Sequence, residues 1–231
     1  MKTVVLYKGI YILAGLKCGT RTLRTYLGMA TDKNLIEESK QNQIIGHKKA
    51  QELSQQYTIG LKLVSEYDKD GVDNYNKIYN ENLYYRDFLK FLDNTDKIKT
   101  KILIIRDPVA RFASAFSMIK TNILNKECSL QTFIDNFDFF MWKYPYHYDH
   151  FRPITYVYGL NPSWYDQIYD IKQINEVKKY IEKECGYELP DVQANRGRDT
   201  SSILNNLTEA QIDWIKQRYI IDYRVYGKYF S

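Results

Sequence analysis

Apolar residues first gather within residues 3–14, in a run ending at Tyr11-Ile12-Leu13-Ala14 that predicts a strand. The loop Gly15-Leu16-Lys17-Cys18-Gly19 follows. A helix then begins near Thr20, with Leu23 and Leu27 one turn apart. Gln43-Ile44-Ile45 reads as a second short strand ending at Gly46-His47, with a helix after it. Residues 66–80 are polar and loop-like, and Asn82 to Leu92 has helical spacing. Lys101-Ile102-Leu103-Ile104-Ile105 is a short, continuous apolar run, the pattern of a strand covered on both faces. Arg106 ends it. Asp107 then suits an N-cap and Pro108 the first position of the next helix. Ser129 opens a helix carrying Leu130, Phe133, Ile134 and Phe137, and another from Asn175 ends at Gly186, a C′ glycine. Thr208 and Gln211 form a capping box, Leu207 can staple to Ile212, and this last helix runs to about Tyr226, where Gly227 stops it.

Strands that alternate with helices and then give way to helices predict an α/β fold with a central parallel sheet. A chain of 231 residues fits one domain, 1–231, with residues 66–80 as a polar insertion. Ligands of such sheets sit at the carboxyl ends of the strands. Three polar features are expected there: the Lys17 loop, His47 and Arg106.

Charge and cysteine content narrow the picture only a little. A net charge of +5 suits an anionic ligand without choosing one. Cys18, Cys128 and Cys185 are odd in number and form no CxxC pair, which argues against a zinc site or a disulfide framework. They fit a reducing, cytoplasmic compartment. No apolar run reaches the length of a membrane span, and Lys8-Gly9 interrupts the N-terminal run, so it reads as strand rather than signal peptide.

The loop between the first strand and helix carries the first candidate chemistry. A glycine-bearing turn leading into a helix lets backbone N–H groups converge on an anion, aided by the partial positive charge of the helix N-terminus. Lys17 adds a point charge, and Thr20 and Thr22 add hydroxyl donors. The spacing is not that of a Walker A loop, because three residues separate Gly15 and Gly19 and Thr20 stands where lysine belongs. An ordinary βα turn remains the plain alternative. The second candidate is Arg106-Asp107-Pro108-Val109-Ala110-Arg111-Phe112-Ala113-Ser114-Ala115-Phe116. Arg106 at a strand end can fork onto a phosphate, and Asp107, Arg111 and Ser114 share a helical stripe. A capped helix with a solvated charged face is the alternative here. Asp68, Asp70, Gly71 and Asp73 suggest a calcium loop, but Glu66 and Lys77 stand where such a loop needs Asp and Glu.

Together the two segments resemble the donor-binding signatures of sulfotransferases that use 3′-phosphoadenosine 5′-phosphosulfate. Lys17-Cys18-Gly19-Thr20-Arg21-Thr22-Leu23 is similar to the 5′-phosphosulfate loop, with Arg21 replacing a small or hydroxyl residue. Arg106-Asp107-Pro108, Arg111 and Ser114-Ala115 resemble the 3′-phosphate element. His150-Phe151-Arg152-Pro153 looks like a segment of the carbohydrate-directed, family 2-like branch. Asn195-Arg196-Gly197-Arg198 resembles its polar-basic loop, and Asp222-Tyr223-Arg224-Val225-Tyr226-Gly227 its C-terminal helix, with Tyr226 where Phe is common.

The resemblance implies a P-loop-like fold and sulfuryl transfer to a hydroxyl acceptor, a saccharide or glycoconjugate, without a metal. Lys17, Cys18, Gly19, Thr20, Arg21 and Thr22 would hold the 5′ end of the donor. Arg106 and Ser114, with Arg196 and Arg198, would hold its 3′-phosphate. His47 is the first candidate for the base, on its place at a strand end, and His150 the second, or else a shaper of the acceptor side. Two other classes stay in view. One is a P-loop nucleotide kinase, disfavoured by the missing Gly-Lys-Ser/Thr and the lack of an apolar strand ending in Asp. The other is a basic, Tyr-rich nucleic-acid-binding module, disfavoured by interspersed acidic and basic residues.

Overall fold

A computed structural model describes residues 2–15, 17–54, 58–59, 98–124, 128–192 and 200–231. The insertion at 66–80, the expected helix from Asn82, and Arg196 and Arg198 lie outside them. The chain is mixed α/β and mostly helical. Its N-terminal apolar run is a hairpin, not one strand: β1 (Lys2–Tyr7) turns through Lys8 and Gly9 into β2 (Ile10–Gly15). Both turn residues have positive φ, 46° and 89°, the pattern of a two-residue type I′ turn. The helices α1 (Thr20–Thr31), α2 (Asn34–Gln41) and α3 (Gln43–Leu53) follow, then β3 (Thr58–Ile59) and β4 (Thr100–Ile105).

The expected strand at 43–45 is therefore the first turn of α3. Asn42 is the reason. Its side chain accepts the Ile45 N–H at 3.2 Å and caps a helix there. Ile44 and Ile45 stay 82% and 51% exposed, so the apolar pair that suggested a strand buries little. Gly46 completes the correction, because a Cβ there would lie 2.6 Å from Ser39 Cα, and glycine lets α3 close against α2.

The second half adds α4 (Pro108–Asn122), α5 (Leu130–Asp135), α6 (Phe137–Lys143), α7 (Pro145–Tyr148) and α8 (Ile154–Tyr158). Asp107 caps α4 by accepting the Ala110 N–H at 3.1 Å, and Pro108 opens it, as expected. The helix from Ser129 breaks at Asn136 into α5 and α6. An unanticipated strand, β5 (Gln167–Asp170), precedes α9 (Ile174–Cys185), which ends on the left-handed Gly186. The chain finishes with α10 (Thr200–Asn205), α11 (Glu209–Arg218) and α12 (Ile220–Tyr226). The Thr208–Gln211 capping box opens α11, and the expected single helix breaks at Tyr219.

Among the described residues the sheet has the order β3-β1-β2-β4-β5. β2, β4 and β5 run parallel, while β1 is antiparallel to both neighbours. Both faces of the parallel strands are covered. Ile12, Ala14, Ile102 and Ile104 pack with α1, α2 and α9, whereas Tyr11, Leu13, Leu103 and Ile105 pack with α8, α12 and the C-terminal tail. This explains their unbroken apolar sequence. A separate aromatic core joins Phe112, Phe116, Phe133, Phe137, Phe151 and Tyr219 beside the sheet. No helix of the described residues is long and apolar enough to cross a membrane.

Candidate functional site

Ala14 pairs with Ile104 and Ile104 with Tyr169, so Gly15, Ile105 and Asp170 end the three parallel strands at one level. The Lys17 loop and Arg106 leave the sheet at that edge. Lys17 adopts a positive φ of 69°, and the Cys18 N–H turns back onto the Gly15 carbonyl at 3.0 Å. Gly19 then caps α1 with a φ of 78° and no side-chain hydrogen bond. The first turn of α1 holds no acidic residue. A helix end without a side-chain cap keeps its N–H groups available to an anion.

Arg106 lies across this loop, and its Nη1 donates to the Lys17 carbonyl at 3.3 Å. Burial draws its guanidinium below the ordinary value; Cys18, Asp170 and Asp107 oppose that pull and Arg111 adds to it. Cys18 is fully buried beneath the loop. Burial pushes its thiol up to about 11, against the influence of Arg111 and Arg106. Behind Gly15 a cavity of about 10 Å³ is lined by Cys18, Arg111, Asp149 and Tyr158, among others. That is room for one water. A larger anion would have to lie outside it, against the loop and the start of α1.

Asp149 lines the cavity behind Gly15 and Arg111 donates to the His150 carbonyl, so the His150 segment lies beside the loop. Burial, then the Lys17 charge, holds its imidazole down to about 3; His147 adds to the effect and Asp149 opposes it. The His147 and His150 rings stack at 6.1 Å, and His150 Nδ1 is buried without a hydrogen-bond partner.

His47 is elsewhere. Arg24 Nη2 donates to the Gln51 carbonyl at 2.8 Å, Gln51 Nε2 donates to Thr25 Oγ1 at 3.1 Å, and Gly28 sits against the Ala50 carbonyl. These pairs show α3 running antiparallel to α1, so His47 lies beside the far end of α1. At 1.5 Å per residue that is about 15 Å from Thr20. Its imidazole is lowered by burial alone. The strand-end position expected for it does not exist.

Arg111 and Ser114 differ from expectation in another way. From Arg111 to Ile119 every residue of α4 is buried, so no solvated face exists there and Ser114 is only 8% exposed. Arg111 is a strut. Its Nη2 donates to the Arg152 carbonyl at 2.6 Å and its Nη1 to the His150 carbonyl at 3.3 Å, with the Asp222 carboxylate 4.0 Å away. Asp222, fully buried, accepts the Ile154 and Thr155 N–H groups and the Thr155 hydroxyl at 2.7–2.8 Å, capping α8. Tyr219 donates to the Phe151 carbonyl at 2.5 Å and Tyr223 to Asp107 at 2.9 Å. The Arg106-to-Ser114, His150-to-Pro153 and C-terminal segments thus form one hydrogen-bonded frame. Sequence reasoning missed Tyr158, whose hydroxyl abuts Gly15, and Asp170, although the Asp170–Gln173 capping box was readable.

No protein-family model, no curated protein and no solved structure matches the chain.

Proposed function

We propose that the protein is a sulfotransferase of the 3′-phosphoadenosine 5′-phosphosulfate-dependent, carbohydrate-directed type, built on a P-loop-like sheet. The observation that carries the reading is the convergence of Lys17, Arg106 and His150 on one sheet edge, around a helix N-terminus without a side-chain cap. Lys17 and the N–H groups of Gly19, Thr20, Arg21 and Thr22 would cradle the 5′-phosphosulfate and stabilise charge on the departing phosphate. Arg106 would fork onto the 3′-phosphate. The acceptor oxygen forms a bond to sulfur as the bond from sulfur to the 5′-phosphate oxygen breaks, and the hydroxyl proton passes to the His150 imidazole. Burial is the larger cause of the lowered imidazole; an anionic donor beside Lys17 offsets the second, the Lys17 charge, and moves the ring part of the way toward a useful basicity. His150, not His47, therefore takes the role of base. The acceptor class, a saccharide hydroxyl, rests on the resemblance around His150.

One observation favours a second reading. Asp170 ends an apolar-centred strand beside the loop, the feature whose absence argued against a nucleotide phosphotransferase. Its Oδ1 is committed to the Lys172 N–H at 2.9 Å and its Oδ2 is sealed from solvent, which suits a hydrated magnesium ion poorly.

Thermal melting with nucleotides separates the two. 3′-Phosphoadenosine 5′-phosphate should raise the melting temperature well beyond AMP, ADP or ATP with magnesium. Equal shifts for the 3′-phosphorylated nucleotide and AMP would overturn the assignment, and a larger magnesium-dependent shift with ATP would favour phosphoryl transfer.

A further inference from the structure

Three side chains from different elements back onto the Lys17 loop: Arg111 from α4, Tyr158 from α8 and Asp149 from the segment between α7 and α8. With Gly15 and Cys18 they line the cavity of about 10 Å³ behind Gly15. A space of that size is close to one water-sized sphere and is too small for a chloride ion.

Two of these side chains bring a polar atom that the rest of the protein leaves unmet. Arg111 is 5% exposed and Tyr158 8%. Arg111 commits Nη1 and Nη2 to the His150 and Arg152 carbonyls, and its third nitrogen, Nε, is sealed from solvent without a hydrogen bond. The Tyr158 hydroxyl is sealed in the same way. It lies at the Gly15 wall of the cavity, 2.0 Å from where a Cβ would stand. A buried donor left unmet is destabilising. An apolar cavity stays dry, whereas one that offers two or more polar partners holds an ordered water.

We propose that this cavity is a built site for one internal water, which bridges Arg111 and Tyr158 behind the Lys17 loop. The Arg111 Nε–H and the Tyr158 O–H both donate to the water oxygen. The two hydrogens of the water are left for the Asp149 carboxylate and the Cys18 sulfur, the other polar walls of the cavity. Through this water α4 and α8 are joined behind Gly15, where a backbone without a Cβ leaves room for it. Glycine at that position is therefore required twice, once by the Tyr158 hydroxyl and once by the water.

The sign of one substitution separates a wet cavity from a dry one. In a wet cavity, Tyr158→Phe removes a partner of the water and leaves Arg111 Nε unmet, so the melting temperature should fall by about 2–4 °C. In a dry cavity the same change removes an unsatisfied hydroxyl; an unchanged or raised melting temperature overturns the proposal. In Gly15→Ala, whose methyl takes the place of the water, Tyr158→Phe should instead raise the melting temperature. A fall there as large as in the wild type also overturns the proposal. A crystal structure of the wild-type chain that resolves ordered solvent is the direct check, and it stands even where the variants do not fold. Density within about 3.2 Å of both Arg111 Nε and the Tyr158 oxygen upholds the site. Density bonded to one of them alone, or to neither, overturns it.

Discussion

Gly15 and Tyr158 show how little room the loop leaves for change. A Cβ on Gly15 would stand 2.0 Å from the Tyr158 hydroxyl, which has no hydrogen-bond partner of its own. Gly15→Ala should destabilise the protein by about 1–3 kcal/mol, as overpacking does. Adding Tyr158→Phe should restore part of that loss, and denaturant titration of the three variants measures it. His150 supplies a second test at this scale. The unfolded chain takes up a proton near the ordinary histidine value of about 6.5. The folded protein keeps the ring neutral down to about 3. Between these values the unfolded state binds more protons, so stability is lost as pH falls through the window. Melting curves between pH 7 and 4 should be steeper for the wild type than for His150→Asn, by up to about 1.4 kcal/mol per pH unit. Equal slopes would show that the ring is not held neutral by burial.

At the scale of elements, α8 and the segment before it hang on α4 and α12. Arg111 reaches from α4 to the His150 and Arg152 carbonyls, and Asp222 reaches from α12 to the N-terminus of α8. Arg111→Met keeps the volume but strands the Asp222 carboxylate and two carbonyls. Breaking a buried pair in this way costs about 3–5 kcal/mol. Urea titration should show that loss, and Asp222→Asn in the same background should recover part of it. Elements marked by local chemistry were legible beforehand: α1 after its glycine loop, α4 behind Asp107-Pro108, α9 ending on Gly186 and α11 behind its capping box. Elements decided by packing were not. The Ile44-Ile45 pair read as strand because apolar β-branched residues usually pack on a sheet, yet here they face outward from a capped helix. β5 spans only four residues, two of them polar, and owes its existence to a place beside β4.

Over the whole molecule, the candidate site divides the same way. The placement of the Lys17 loop and Arg106 at one sheet edge was readable because each follows an apolar run. The choice between His47 and His150 was not, since it depends on how α3 lies against α1 and on which segment folds over the loop.

The hydrogen bond from Tyr223 to Asp107 joins residues 116 positions apart, and those from Tyr219 to Phe151 and from Ile154 to Asp222 span 68 each. Contacts so distant along the chain pay their loop-closure entropy before they return any stability, and they form late. During synthesis the Lys17 loop is made before the helix that braces its surroundings. A nascent chain can therefore complete its sheet edge well before the frame around His150 exists. Any intermediate lacking a docked α12 would carry the loop and Arg106 without the braced His150 segment beside them.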